Sequence, residues 1–517
     1  MDYLVGIDLG STSLKAVVYD VSGKAVASGS RPTERFHPDA EHPDWTVWMP
    51  EQIWNGVAAA LREAIEKLDD PSAIRATAVT GMGMDGVPID AEGNWLYPFI
   101  SWLDPRTIPQ LDWWCEQVGL GKTFAISGCP GWPINSALRI RWMAENEPEI
   151  LEHTQTWLLI EDFVNFMLCG RRATDYSMAS CTMLFDQQRL EWSDELLALS
   201  GIARQLLPDA LPSGTILGEV SDRAAAATGL PAGTPVVLGG HDHLCGALAA
   251  GALRPGVALN ITGTWEFITS AVGRPTLTPD VQRTGLTVQA HVVRDTWSAW
   301  ASTPAGEAVE WFRHQYGFEA AQRAQTEGGS DWDYLIAAAR QAEPGASGVV
   351  FLPHLSGSTS PVVDPLSRGA FVGLRTTTTS GEMLRAIFEG LSYQLLDILQ
   401  AVEDGLGTPA ERIVAIGGAV RNSFWMQSKA DVLGKPIEVP ELEEATPQGA
   451  AMLAGIGVGI YADERDAYER TKRPTRVLEP DSKLAATYAE GFQRYRAVYP
   501  ALKDLYRDGR EGAHGDA

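Results

Sequence analysis

Residues Gly6 to Asp20 read GIDLGSTSLKAVVYD. Taken with the residues just before them, YLVGID alternates as a strand, GSTS is a tight turn and LKAVVYD is a second strand. SGK makes another turn and KAVASGS a third strand, an antiparallel meander of the kind that opens an α/β domain. Near residue 250 the organisation restarts: Pro255 to Ala271, PGVALNITGTWEFITSA, is again strand, Gly-Thr turn, strand. The likeness is one of shape rather than identity, and it implies that one unit is used twice. Working outward, Glu51 to Leu68 sets Ile53, Val57, Leu61, Ile65 and Leu68 on one helical stripe, and IRATAVTG is a strand stopped by glycine. After the second unit, Gly381 to Asp404 is a long helix, RIVAIGG a strand ending at Gly418, and a further helix runs through Trp425 to Leu433. The expectation is an α/β protein of two lobes with a cleft between them. Residues 1–250 form the first lobe, 251–480 the second, and 481–517 a terminal helix with the polar tail RDGREGAHGDA.

The chain has 517 residues, roughly three times the usual domain size, so each lobe can bury a core of its own. It is 45% hydrophobic and 21% charged, the balance of an ordinary folded enzyme. Its 66 acidic against 41 basic residues give a net charge of -25, a field that repels nucleic acid and anionic lipid. An anionic substrate therefore needs a local device to overcome that field, and glycine-rich turns are the usual one. The five cysteines, Cys115, Cys129, Cys169, Cys181 and Cys245, are scattered and form no CxxC, which argues against a zinc cluster or a disulfide scaffold. MDYLVGIDLG lacks the basic and apolar regions of a signal peptide, and no window reaches the length of a membrane span. The expectation is a soluble, cytoplasmic protein without nucleic-acid or membrane partners.

Three turns suit phosphate. Asp8-Leu9-Gly10-Ser11-Thr12-Ser13 ends a strand with an acid and then exposes backbone N–H groups and three hydroxyls. Asp8 is placed to hold Mg²⁺ through water; the competing reading is a hairpin turn capped by Asp and Ser. Ile261-Thr262-Gly263-Thr264 repeats the chemistry, and Gly417-Gly418-Ala419 closes another strand. There is no GxxxxGK[ST] and no GxGxxG opening a helix, which excludes a P-loop and counts against a dinucleotide fold. A nucleotide lying between two lobes fits what remains.

Gly239 to Gly251, GGHDHLCGALAAG, sets Asp242 between His241 and His243. On an extended strand residues i and i+2 share a face and i+1 points away, so the trio is not expected to converge on a metal without a special turn. Asp242 follows a strand, stands beside glycines and precedes an apolar helix. Its carboxylate can take the proton of an alcohol attacking a phosphoryl group, or it can simply cap the helix.

These blocks, in this order, resemble the FGGY carbohydrate kinase family of the actin-like ATPase superfamily, over nearly the whole length from Gly6 to about Gly455. GIDLGSTSLKAVVYD resembles its first phosphate motif. GMGMDGVPIDAEGNWLYPFISWLDPRT, Gly81 to Thr107, resembles its sugar-binding block, and GGHDHLCGA the block with the catalytic Asp. FLPHLSGSTSPVVDPLSRGAFVGL and AIGGAVRNSFWMQSKADVLGKPI resemble the family signature and the adenosine-binding block.

The resemblance implies two ribonuclease H-like lobes and ATP-dependent phosphorylation of a ketose, deoxyketose or polyol, with ATP and Mg²⁺ as cofactors and a dimer as the common assembly. It further implies that Asp8 positions Mg²⁺ and that Gly10, Ser11, Thr12 and Lys15 form or flank the first phosphate turn. Gly263 and Thr264 would form the second, and Gly418, Ala419 and Asn422 would contact adenosine. Asp242 would be the base, and Asp85, Trp102, Asp104 and Arg106 would line or support the sugar pocket. Plainer readings stand beside these: Trp102 packs, Arg106 only pairs with Asp104, Lys15 points to solvent, and Trp45 and Trp48 lie either near the pocket mouth or in the core.

The sequence departs from the family at several places. Gly83 stands where xylulose kinases often carry Gln, and Asp85 where they carry His. Gly357 to Pro361 reads GSTSP where GERTP is common. Asp85 with ISWLDPRT, and DYSMASCTMLFD from Asp175 to Asp186, point to the L-fuculose kinase branch. Xylulose, ribulose, autoinducer-2 and erythritol kinases stay open, glycerol kinase fits less well, and a non-catalytic sugar-binding regulator is the alternative outside enzymes.

Overall fold

In the computed structural model, which describes residues 2–511 and side chains through Tyr506, the first meander is β1 (Tyr3–Leu9), β2 (Ser13–Asp20) and β3 (Ala25–Pro32). Three more strands, β4 (Ile74–Gly81), β5 (Ile216–Glu219) and β6 (Pro235–His241), complete a six-stranded sheet in the order β5-β6-β4-β1-β2-β3. The second sheet has seven strands: β7 (Val257–Thr262), β8 (Trp265–Val272), β9 (Thr287–Ala290), β10 (Trp297–Pro304), β11 (Arg412–Ile416), β12 (Ile437–Pro440) and β13 (Thr475–Leu478). Its order is β9-β10-β8-β7-β11-β12-β13. In both sheets an antiparallel meander leads into two parallel strands: β1 lies parallel to β4 and β4 to β6, just as β7 lies parallel to β11 and β11 to β12. The unit read twice in the sequence is therefore built twice, and the α/β architecture of two lobes is present. Residues 512–517, the end of the polar tail, lie outside the described residues. Among the described residues no helix is long and apolar enough to cross a membrane.

Six helices bear on the site: α1 (Pro50–Ile65), α2 (Asp242–Ala250), α3 (Gly306–Tyr316), α4 (Ser380–Leu406), α5 (Ser423–Leu433) and α6 (Ala445–Gly457). The long helix α4 starts at a reciprocal cap, with Glu382 N–H donating to Thr379 Oγ1 (3.2 Å) and Thr379 N–H to Glu382 Oε2 (2.7 Å). It stops at left-handed Gly407.

Strand parity decides what faces the cleft. Val5, Ile7 and Leu9 pack in one core with Ile53, Val57 and Leu61 of α1. Leu4, Gly6 and Asp8 point the other way, toward α2 and α6, where Leu4 joins Leu244, Leu248 and Ala450 to Ala454. Although α6 lies between β12 and β13 of the second sheet in sequence, it packs on β1, β4 and β6 of the first. Two glycines permit this. A Cβ on Gly6 would fall 1.8 Å from the Pro447 carbonyl oxygen, and one on Gly449 would fall 1.9 Å from that of Cys245. On the far side Ala247 and Ala250 of α2 meet Val257, Leu259, Val414 and Ile416 of the second sheet. Asp242 thus opens a helix packed between two sheets, at the level where the central strands end.

Candidate active site

Ligands of open α/β sheets bind beyond the carboxyl ends of parallel strands. Across β1, β4 and β6 the register aligns Asp8 with Thr80 and Thr80 with Gly240, then Leu9 with Gly81 and Gly81 with His241. Asp8 and Asp242 thus flank the same row of strand ends. Asp242 is the first residue of α2; its Oδ1 accepts the His243 N–H (2.6 Å), and its side chain keeps 38% of its surface exposed. His241 Nε2 and His243 Nδ1 each lie 3.6 Å from that same oxygen. Burial opposes the charge on Asp242, but the hydrogen bond from His243 and the two imidazoles outweigh it and hold the carboxyl below its usual range. Asp8 moves the other way. Burial, and after it the charge of Asp242, pushes it up to about 7, with Lys15 offsetting part of the rise. His241 is pushed down to about 3 by burial and then by His243, so it is neutral at physiological pH.

The expectation that His241, Asp242 and His243 diverge is overturned: their ligating atoms all lie within 4.8 Å of one another. The alternation argument holds only along a strand, and here the strand ends at His241 and helix begins at Asp242. The switch is the special turn that convergence requires.

In the first turn, Gly10 N–H donates to Ser13 O (3.1 Å) and Thr33 Oγ1 to Gly10 O (2.6 Å), while the N–H groups of Ser11 and Thr12 remain unspent among the described residues. Lys15 is the cross-strand partner of Asp8, but its Nζ bonds both oxygens of Glu444, each at 2.9 Å. The reading of Lys15 as a solvent-pointing side chain therefore gives way to a tie between β2 and the loop before α6. In the second turn, Gly263 N–H donates to Trp265 O (2.9 Å), and the start of α3 closes on it through Gly306 N–H to Gly263 O (3.1 Å). Behind this turn Lys429 Nζ is buried against Glu266, Asn260 Oδ1 (2.9 Å) and Thr262 Oγ1 (2.6 Å).

The third turn sits against the second. Gly417 has φ 97°, and a Cβ there would meet Thr262 O at 2.6 Å, whereas Gly418 faces open space. Asn422 Oδ1 caps α5 through Trp425 N–H (3.1 Å). Gly263, Thr264, Gly418, Ala419 and Asn422 line one cavity of about 1190 Å³, roomy enough for a nucleotide. None of Asp8, Gly10, Ser11, Thr12, Lys15 and Asp242 lines it. Its other walls, among them Trp311, Trp332 and Arg340, were not singled out from the sequence. The one signal was helical spacing: Glu307 and Trp311 lie four apart on α3, whose first residue packs on Gly263.

The residues expected at the sugar pocket form two buried ion-pair groups. Asp85 is fully enclosed: Trp48 Nε1–H donates to its Oδ2 (2.6 Å), and Arg139 lies 3.1 Å from its Oδ1. Burial raises its pKa, and Arg139 and Trp48 pull it back in part. Trp48 is thus core rather than pocket mouth. Arg106 is forked onto Asp104 at 2.9 and 2.6 Å, its guanidinium lies 4.0 Å from the Trp45 ring centroid, and Thr46 N–H also donates to Asp104 (2.6 Å). Arg106 does pair with Asp104, and both side chains are buried. Trp102 is half-buried against the first lobe's core. Arg139, in the helix Ser136–Asn146, was missed because nothing in its local pattern separates it from its neighbours. The sugar block also touches the histidines: Gly83 has φ 91°, and a Cβ there would lie 2.8 Å from His241 Nε2.

The family described as "FGGY family of carbohydrate kinases" matches with its N-terminal domain over residues 3–249 and its C-terminal domain over 258–458. L-fuculokinase of Escherichia coli (strain K12) is 31% identical over 481 residues, covering 93% of this chain and 98% of its own. A glycerol kinase of Citrifermentans bemidjiense is 32% identical over 481 residues, covering 89% and 91%. The crystal structure of xylulose kinase from Rhodospirillum rubrum is similar with a TM-score of 0.88 at 29% identity, covering 98% of this chain and 100% of that one.

Proposed function

The chain belongs to the FGGY family of carbohydrate kinases, ATP-dependent enzymes, and from that premise we propose that it moves the γ-phosphate of ATP to a hydroxyl of a ketose or deoxyketose, L-fuculose being the first candidate. The observation that carries the reading is Asp242: a carboxylate held in its charged form at the end of the central strands, reachable from the cleft and beside Asp8. In this reading Asp242 Oδ accepts the hydroxyl proton as the sugar oxygen attacks the phosphoryl group, and no side chain is phosphorylated on the way. The cavity at Gly263, Thr264, Gly418, Ala419 and Asn422 takes the nucleotide, and the unspent N–H groups of Ser11 and Thr12, which lie outside that cavity, are left free to bind its phosphates.

The residues present fit a hard divalent cation. Asp8 is an oxygen donor whose carboxyl is held up at about 7 by burial and by the charge of Asp242, only partly offset by Lys15, so a cation there would favour its ionised form. Asp8 would hold Mg²⁺ there, and the ion would supply charge neutralisation for the phosphates. Asp85, Asp104 and Arg106 shape the sugar wall from behind rather than reading hydroxyls directly. With five free thiols, the enzyme suits a reducing compartment, and we place it in the cytoplasm.

The test is ADP release by the purified protein with ATP, Mg²⁺ and a panel of L-fuculose, D- and L-ribulose, D- and L-xylulose, L-rhamnulose, erythritol and glycerol. The expected result is one ketose or deoxyketose raising turnover by about 10³-fold or more over the sugar-free rate. Glycerol or erythritol as the preferred acceptor would move the assignment to the polyols, and a panel with no acceptor would sink the choice of substrate class.

A further inference from the structure

Gln289 stands on β9, the edge strand of the second sheet, and reaches the histidines of the first lobe. It is held there on both sides: Val288 N–H donates to Gly128 O (2.8 Å) and Ala290 N–H to Ser180 Oγ (3.2 Å). Its side chain is buried, and its Nε2 lies 3.3 Å from His241 Nδ1 and 3.4 Å from His243 Nε2. The other nitrogen of each ring faces Asp242 Oδ1. One amide therefore touches both imidazoles on the sides turned away from the carboxylate.

A neutral imidazole carries one ring proton, and the nitrogen that accepts a hydrogen bond is the one without it. An amide NH₂ has two hydrogens, one for each ring. With Nε2 toward the rings, His241 must carry its proton on Nε2 and His243 on Nδ1, so both N–H groups aim at Asp242. The reverse amide would draw both protons to Gln289 and turn two lone pairs on a carboxylate. Cys181 Sγ also lies 3.4 Å from His241 Nδ1, while its S–H donates to Ser177 O (3.5 Å), so Gln289 is the donor to that ring nitrogen. Gly83 leaves the space that the His241 ring occupies, and Phe267 and Trp300 of the second lobe flank His243.

We propose that Gln289 is a positioning residue for the catalytic base: by donating to both rings it fixes their tautomers so that His241 and His243 each present an N–H to Asp242. This rests on Asp242 being the base. It makes the base dependent on contact between the lobes, since the amide comes from one and the carboxylate from the other. The other titratable groups around Asp242 and the rings include Asp8, Lys15, Glu444, Glu161, Asp175, Cys181, Cys245 and His291.

The test compares wild type with Gln289→Glu, which keeps the shape and replaces the donor by an acceptor, and Gln289→Met, which keeps the length and removes the polarity. Long-range ¹H–¹⁵N spectra of histidine-labelled wild type are expected to show His241 in the Nε2–H form and His243 in the Nδ1–H form. Both variants are expected to lose about 10- to 100-fold in kcat with KM for sugar and ATP within about twofold, and the acid limb of the kcat–pH profile should move upward. His243 found as Nε2–H, or Gln289→Met with the kcat and acid limb of wild type, would overturn the proposal. The ring spectra are read on resting protein, so they decide the tautomers even if no sugar in the panel is phosphorylated; a failure of the kinase reading would show only in turnover.

Discussion

Two residues before the turn glycine Gly10 stands Asp8, half-buried and facing Lys15 across the β1–β2 ladder; two residues before Gly263 stands Ile261. In the second lobe the charges lie deeper, in Lys429 and Glu266, whose side chains are 0% and 1% exposed. The same strand–turn–strand backbone thus serves two ends. In the first lobe the acid is close to the cleft, and burial with the charge of Asp242 raises it to about 7, a cost to its charged form that the proposed cation would offset. In the second lobe the ion pair is sealed behind the strand and leaves a neutral turn, the surface an anionic phosphate tolerates best. The strand–turn–strand geometry occurs twice, and the placement of a few charges differs between the two copies.

The comparison can be broken most severely at Lys429. Lys429→Met leaves Glu266 buried without its cation, and the expected loss is about 3–5 kcal/mol of stability, read as a lower urea midpoint. A midpoint within about 0.5 kcal/mol of wild type would mean that the pair is not what holds the second turn.

A pH series sharpens the same contrast from the second lobe. Burial holds His354 down to about 4, with its Nδ1 2.7 Å from Ser367 Oγ, against about 6.5 in an unfolded chain. The unfolded chain therefore binds a proton that the folded one refuses. The stability is present above pH 6.5 and is lost as pH falls toward 4, by about 1.4 kcal/mol per unit from this one group. His354→Gln should flatten the fall in stability between those values by that slope; an unchanged slope would show that the ring is not buried neutral.

The smallest effect belongs to Lys15. Its pair with Glu444 is about one-third exposed on each side, and Lys15→Met is expected to cost less than about 1 kcal/mol. A cost as large as that at Lys429 would erase the distinction between the lobes.

Much of this was legible in the sequence, because strands alternate and glycines punctuate over short distances. The two meanders, the long helix α4 and the acid after β6 all follow from local pattern. What was not legible depends on groups distant in the chain. The tie between Lys15 and Glu444 spans 429 positions, and Arg139 reaches Asp85 from a helix on which it looks like any other polar residue. Gln289, on an edge strand 48 positions from His241, carried no sign at all. The His-Asp-His trio was misread for a different reason: the spacing argument assumed one element where two meet. The helix α6 shows the same limit, since a run of small residues such as GAAMLAG says that something packs closely but not which lobe it packs on.

The account turns on a separation of tasks, with the proton taken at Asp242 in the first lobe and the nucleotide held by turns of the second. Asp242→Asn tests it directly when ADP affinity and turnover are measured on the same preparation. The account predicts ADP binding within about twofold of wild type and a fall in kcat of about 10² to 10⁴-fold. Turnover within about tenfold of wild type, or loss of ADP binding along with turnover, would contradict it.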